Sequence, residues 1–93
     1  MNDLKYIIFR IGTAKMYWYK ACVFNGMLVH AGIAAEHVKE DAYEVHSAGF
    51  CKVSINGYPM VKCWGESESL KVKSDPSFDE QVITETLFNL TKF

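Results

Sequence analysis

Two Asn-Gly dipeptides, Asn25-Gly26 and Asn56-Gly57, constrain the fold of this chain more than any other feature of its sequence. A two-residue hairpin loop of type I′ requires positive φ at both positions, and Asn followed by Gly tolerates this best. Each pair stands between runs of strand-forming residues, 21–24 and 27–29 around the first, 51–55 and 58–61 around the second. The spacing predicts two β-hairpins. In the second, a two-residue loop sets Ile55 against Tyr58, Val53 against Met60 and Cys51 against Lys62, with Ile55, Tyr58, Val53 and Met60 forming one core stripe. Pro59 then falls opposite Ser54. Its missing N–H is directed away from the partner strand, so that side is expected to be a sheet edge or a bulge. The same register sends Cys51 and Cys63 to opposite faces, unable to form a disulfide.

Other elements follow from periodicity. Residues 5–12 are rich in β-branched and aromatic side chains, residues 16–19 continue into the first hairpin, and residues 68–73 alternate with Leu70 and Val72 inward. A short helix is predicted over residues 31–40. A second, C-terminal helix begins at the capping-box pattern Ser77-Phe78-Asp79-Glu80 behind Pro76, and Ile83, Leu87 and Leu90 recur along it at helical spacing. The order β-β-β-α-β-β-β-α reads as a single α+β domain over residues 1–93. Its expected architecture is a mostly antiparallel sheet of five or six strands, with a short middle helix and a C-terminal helix packed on one face.

Composition narrows the function classes. The 93 residues carry ten basic and eleven acidic side chains, and 49% are apolar. That apolar share supports a packed core and excludes a disordered chain. The charge balance argues against a protein that coats nucleic acid, where a basic excess carries the affinity. Beneath the balance, residues 1–30 hold a local +3 and the remainder a local −4. Three cysteines, Cys22, Cys51 and Cys63, do not make a disulfide framework and point to a reducing cytoplasm. The start of the chain lacks the basic and apolar regions of a signal peptide, and its longest weakly polar run is too short to span a membrane.

No sequence motif assigns a reaction. Zinc-type spacings such as H-x-x-H, C-x-x-C and H-E-x-x-H are missing, so no metal or cofactor is expected. The residues 63–70 gather Glu66, Ser67, Glu68 and Ser69 beside Trp64 and Gly65. They do not form the G-x-S-x-G nucleophile elbow, because Ser69 stands where the second glycine belongs. Small residues at Ser47-Ala48-Gly49 would let a strand bulge or let a ligand approach the backbone. The segment Met16-Tyr17-Trp18-Tyr19-Lys20 joins aromatic rings to lysine, a combination that serves either a core strand or a stacking platform.

Several separated pieces fit one pattern: Val23-Phe24, His30-Ala31 with Ala34, Ser47-Ala48-Gly49-Phe50, Cys63-Trp64-Gly65-Glu66-Ser67-Glu68-Ser69-Leu70, Lys73-Ser74, Pro76 and Asp79. In these the chain resembles a group of small proteins encoded by tailed phages and prophages. The resemblance spans roughly residues 22–90, leaves out residues 1–20, and implies a setting rather than a reaction. Its recurring pieces lead us to expect His30, Gly49, Glu66 and Ser67 close together. The resulting expectation is a non-enzymatic binding module in the host cytoplasm that occupies a host protein or sequesters a small polar, nucleotide-like ligand, in the service of countering host defence. Its candidate ligand-binding residues are His30, Trp18, Gly49, Glu66, Ser67 and Ser69, and a homodimer could complete the pocket. Two alternatives stand beside it. One is a small hydrolase using His30 with Glu66 or Ser67. The other is a structural or oligomeric phage component, which an exposed patch of Trp and Tyr would favour.

Overall fold

In a computed structural model, residues 3–38, 43–55 and 59–90 are described. They form β1 (Leu4–Gly12), β2 (Tyr17–Asn25), α1 (His30–Val38), β3 (Tyr43–Ile55), β4 (Pro59–Trp64), β5 (Glu66–Ser67), β6 (Val72–Lys73) and α2 (Pro76–Leu90). The α+β class is as expected. Six strands divide into an antiparallel four-stranded sheet, in the order β2-β1-β3-β4, and a two-stranded β5-β6 sheet.

β1 is one of the two interior strands, and its residues explain why. Tyr6, Ile7, Ile8 and Phe9 run without a polar break, and all four are fully buried. A strand apolar on both faces must be covered on both. Tyr6 and Ile8 point to one face, where Ala21, Cys51 and Cys63 meet Ile83 of α2. Ile7, Phe9 and Ile11 point to the other, where Ala48 meets Ala34 of α1 and Leu70 packs alongside. The two helices thus cover opposite faces rather than the one face expected, because a strand apolar on both sides needs a cover on each.

The first Asn-Gly pair does not make a hairpin. Asn25 ends β2, its Oδ1 accepts the Met27 N–H at 2.8 Å, and its carbonyl accepts the Leu28 N–H at 3.0 Å. This side-chain turn redirects the chain into α1, so residues 27–29 form no strand. The hairpin lies earlier, between β1 and β2. There Gly12 (φ 124°) and a turn on the Thr13 hydroxyl, which accepts the Met16 N–H at 3.1 Å, reverse the chain.

The second hairpin exists, one residue out of the expected register. Val53 faces Val61, Cys51 faces Cys63 and Ser54 faces Met60. Asn56-Gly57 lies outside the described residues. The register follows from period-two alternation: it places Val61 and Cys63 beneath α2, whereas a two-residue loop would drive Lys62 into that core. Cys51 and Cys63 are therefore cross-strand neighbours on one face, not on opposite faces, and both are free thiols. β4 is an edge strand, opened by Pro59. Glu80 Oε2 accepts the Cys63 N–H at 2.8 Å.

Residues 68–73 are not one strand. They belong to a tight hairpin in which β5 and β6 flank a turn at residues 68–71, with Lys71 in the left-handed region (φ 56°). α2 starts at Pro76 rather than at Ser77. Pro76 occupies the first helical position, where no N–H is needed. Asp79, not Glu80, reaches back, its Oδ2 accepting the Asp75 N–H at 2.8 Å. The same buried carboxylate accepts the Tyr6 and Ser47 hydroxyls, each at 2.5 Å. Burial and this bond push the Tyr6 phenol's pKa upward. Each buried donor left without Asp79 would cost roughly 1–3 kcal/mol, so this network pins α2 to β1 and β3.

A β-bulge at His46 aligns that network. The β1–β3 register shifts between Ile8, opposite Ser47, and Phe9, opposite Val45. The extra residue lets His46 lie against the Tyr19 and Phe78 rings, both at 5.1 Å, on the same side as Ser47.

Candidate functional site

The Gly65 turn and the start of α1 converge on one end of the sheet. After Trp64 the chain turns at Gly65 (φ 81°), and the β5-β6 hairpin packs against β3. A side chain at Gly49 would meet the Trp64 carbonyl at 2.5 Å, so this backbone crossing needs the glycine. The small-residue run therefore serves a close approach between backbones, with the bulge beside it.

His30 locks α1 to that crossing. Its ring is buried between Phe24 and Phe50, with centroids 5.5 and 6.1 Å away. Nε2 lies 2.9 Å from the Gly49 carbonyl. A carbonyl only accepts, so Nε2 carries the hydrogen. Burial holds the imidazole pKa below its usual value. The Gly49 bond opposes that effect and the Lys5 charge adds to it.

The α1 N-terminus has no capping side chain of its own, because Val29 occupies that place and only its carbonyl is used, by Gly32 and Ile33. The Ser69 hydroxyl substitutes by accepting the Ala31 N–H at 3.1 Å. Ser67 is buried. Its hydroxyl accepts the Leu70 N–H at 3.2 Å and lies 3.5 Å from that of Ser69.

Around this staple opens a cleft of about 430 Å³ lined by Lys5, Val29, His30, Phe50, Gly65, Glu66, Glu68 and Ser69. Lys5 Nζ donates to the Leu28 carbonyl at 2.8 Å, and Glu66 and Glu68 are exposed. Of the expected residues, His30, Glu66 and Ser69 line the cleft, Gly49 holds His30, and Ser67 supports Ser69. Trp18 lies elsewhere. It pairs with Ile11, five residues along β1 from Tyr6, the partner of Gly49, or about 17 Å at the rise of a strand. Lys5 and Phe50 escaped the sequence reading as cleft residues, because strand pairing alone aligns Phe24, Lys5, Phe50 and Trp64 in one row.

A larger depression of about 690 Å³ spans residues 51–54 and 60–62 with Asp3 and Leu4. Its lining includes the polar side chains of Asp3, Lys52, Ser54 and Lys62, but none of the residues singled out from the sequence as candidate ligand contacts. Among the described residues no group of three or more His, Cys, Asp or Glu side chains could hold a metal ion, and no helix is long and apolar enough to cross a membrane.

Compared with profiles of protein families, with curated proteins and with solved structures, the chain matches none.

Proposed function

We propose that this protein is a non-enzymatic binding module of phage type, whose cleft at the α1 N-terminus captures a small polar ligand in a host cell and so counters host defence. The observation that carries the reading is how the reactive groups are spent. His30 Nε2 is committed to a carbonyl, and the Ser67 and Ser69 hydroxyls each accept a backbone N–H. Groups held in this way build a wall, and among the described residues no hydrogen bond joins His30 to a serine or carboxylate as base to nucleophile.

The wall favours a particular ligand chemistry. Two exposed carboxylates, Glu66 and Glu68, share the cleft with one ammonium, Lys5, which already serves the Leu28 carbonyl and lies 6.0 Å from the Phe50 ring centroid. A neutral or cationic heterocycle bearing N–H donors suits this better than a polyphosphate, which the carboxylates would repel. Within the nucleotide-like class, a nucleoside therefore fits better than its phosphate.

Native mass spectrometry of the protein purified from a bacterial host tests the proposal. A retained small-molecule mass is expected, and it should diminish in the Glu66→Gln/Glu68→Gln variant while the melting midpoint holds. A bare polypeptide, together with no heat on titration with adenosine or its monophosphate, removes it. The structural-component alternative draws support from a different place, the exposed Tyr17 and Trp18.

A further inference from the structure

Among the described residues no strand pairs with the outer edge of β2. The Thr13 N–H donates to the Met16 carbonyl at 2.7 Å, which makes that opposed pair a hydrogen-bonded one. Alternation along an antiparallel ladder then turns the N–H and C=O groups of Tyr17, Tyr19, Ala21 and Val23 away from β1. None of these outward groups has a partner among the described residues.

Edge strands are usually guarded by charge, proline or a covering element. β4 has Pro59 and the Glu80 carboxylate. β2 has one charged residue, Lys20, and its ammonium leans inward to 5.8 Å from the Tyr43 ring centroid on β3, away from the edge.

Exposed apolar residues flank both ends of this strand. Met16 (76%), Tyr17 and Trp18 (58%) stand at its start, and Met27 (77%), Leu28 and Val29 follow its end. Single exposed apolar residues need no explanation, but a group of three at each end of one edge strand does.

We propose that β2 pairs antiparallel with β2 of a second copy of this chain, about a two-fold axis through Ala21, joining two four-stranded sheets into one. The occupant follows from the strand's own pattern. In this register Trp18 faces Phe24 of the second copy, Tyr19 faces Val23, and Lys20 faces Cys22, so no charge opposes a like charge directly. The antiparallel direction lays the apolar start of each strand over the apolar region that follows the other. The outward groups of Tyr19, Ala21 and Val23 all find partners.

The pairing also brings Trp18 back to the cleft. Trp18 of the second copy extends the row Phe24, Lys5, Phe50, Trp64 by one strand, next to the ring that packs on His30. The dimer itself does not depend on the cleft's being a binding site, and its test reads no ligand.

In the proposed register Lys20 and Cys22 of the second copy form a non-hydrogen-bonded pair, with Cα atoms about 4.5 Å apart, within disulfide range. The Lys20→Cys variant under mild oxidation is therefore expected to run as a covalent dimer on a non-reducing gel. The Lys20→Cys/Cys22→Ser variant is expected to remain a single chain. Sedimentation equilibrium of the unmodified protein should give twice the monomer mass. A monomer mass at high micromolar concentration overturns the proposal, and so does a dimer in which Lys20→Cys fails to cross-link.

Discussion

At the scale of single residues, buried polar groups do most of the positioning. His30 joins α1 to β3 through one hydrogen bond, and burial lowers its pKa from the ordinary 6.5. A histidine that binds its proton more weakly when folded favours the unfolded chain as acid is added. The stability linked to it is complete above the unfolded pKa and is lost as pH falls through the lower folded value. Between about pH 7.5 and about pH 5 the urea midpoint of the native chain should fall. His30→Gln, whose amide does not titrate, should fall less steeply, and equal slopes would mean that His30 is not the group responsible. His30 was legible in the sequence because histidine is rare here and stands at a predicted element boundary. Asp79 was legible only as a helix-start acid. Its burial against Tyr6 and Ser47 is a tertiary event that no local spacing announces.

At the scale of elements, the strands that alternate or run apolar were readable, and the turns were not. β1 declared itself by its unbroken apolar run, and α2 by its spacing. The Asn25-Gly26 pair suggested a hairpin, because the local signal cannot distinguish a two-residue reversal from a side-chain turn leading into a helix. The slip at β3-β4 has a similar origin: loop length was inferred from two residues, while register is decided by which side chains α2 must bury. Two glycines of similar local appearance separate these effects. Gly49→Ala places a methyl 2.5 Å from a backbone carbonyl that cannot move easily, and it should lower the melting midpoint markedly. Gly32→Ala meets nothing within 4 Å on α1 and should stabilise by roughly 0.5–1 kcal/mol, seen as a higher urea midpoint. If both variants lost stability equally, the crossing at Gly49 would be misplaced.

At the scale of the whole molecule, two cores on either side of one sheet account for the high apolar share. The α2-side core holds Cys51 and Cys63 as thiols. Burial, chiefly, pushes the first up to about 11 and the second up to about 12; Asp3 adds to the former, and Cys51, Glu80 and Asp79 to the latter. A protonated, buried thiol does not react. Mass spectrometry after brief iodoacetamide treatment near neutral pH should find both unmodified in the folded protein and both alkylated in urea. Rapid native labelling of either would mean that α2 lifts from the sheet readily.

β1 has a last consequence, for the order in which the fold can be assembled. The strand is made before every other described element, yet it ends in the middle of the sheet, with β3 as one neighbour. About thirty residues lie between Gly12 and Tyr43, so the β1-β2 hairpin leaves the ribosome with one side of β1 unpaired and its most apolar stretch uncovered. Until β3 arrives, the nascent chain exposes an apolar, half-paired strand that is prone to pairing with a wrong partner.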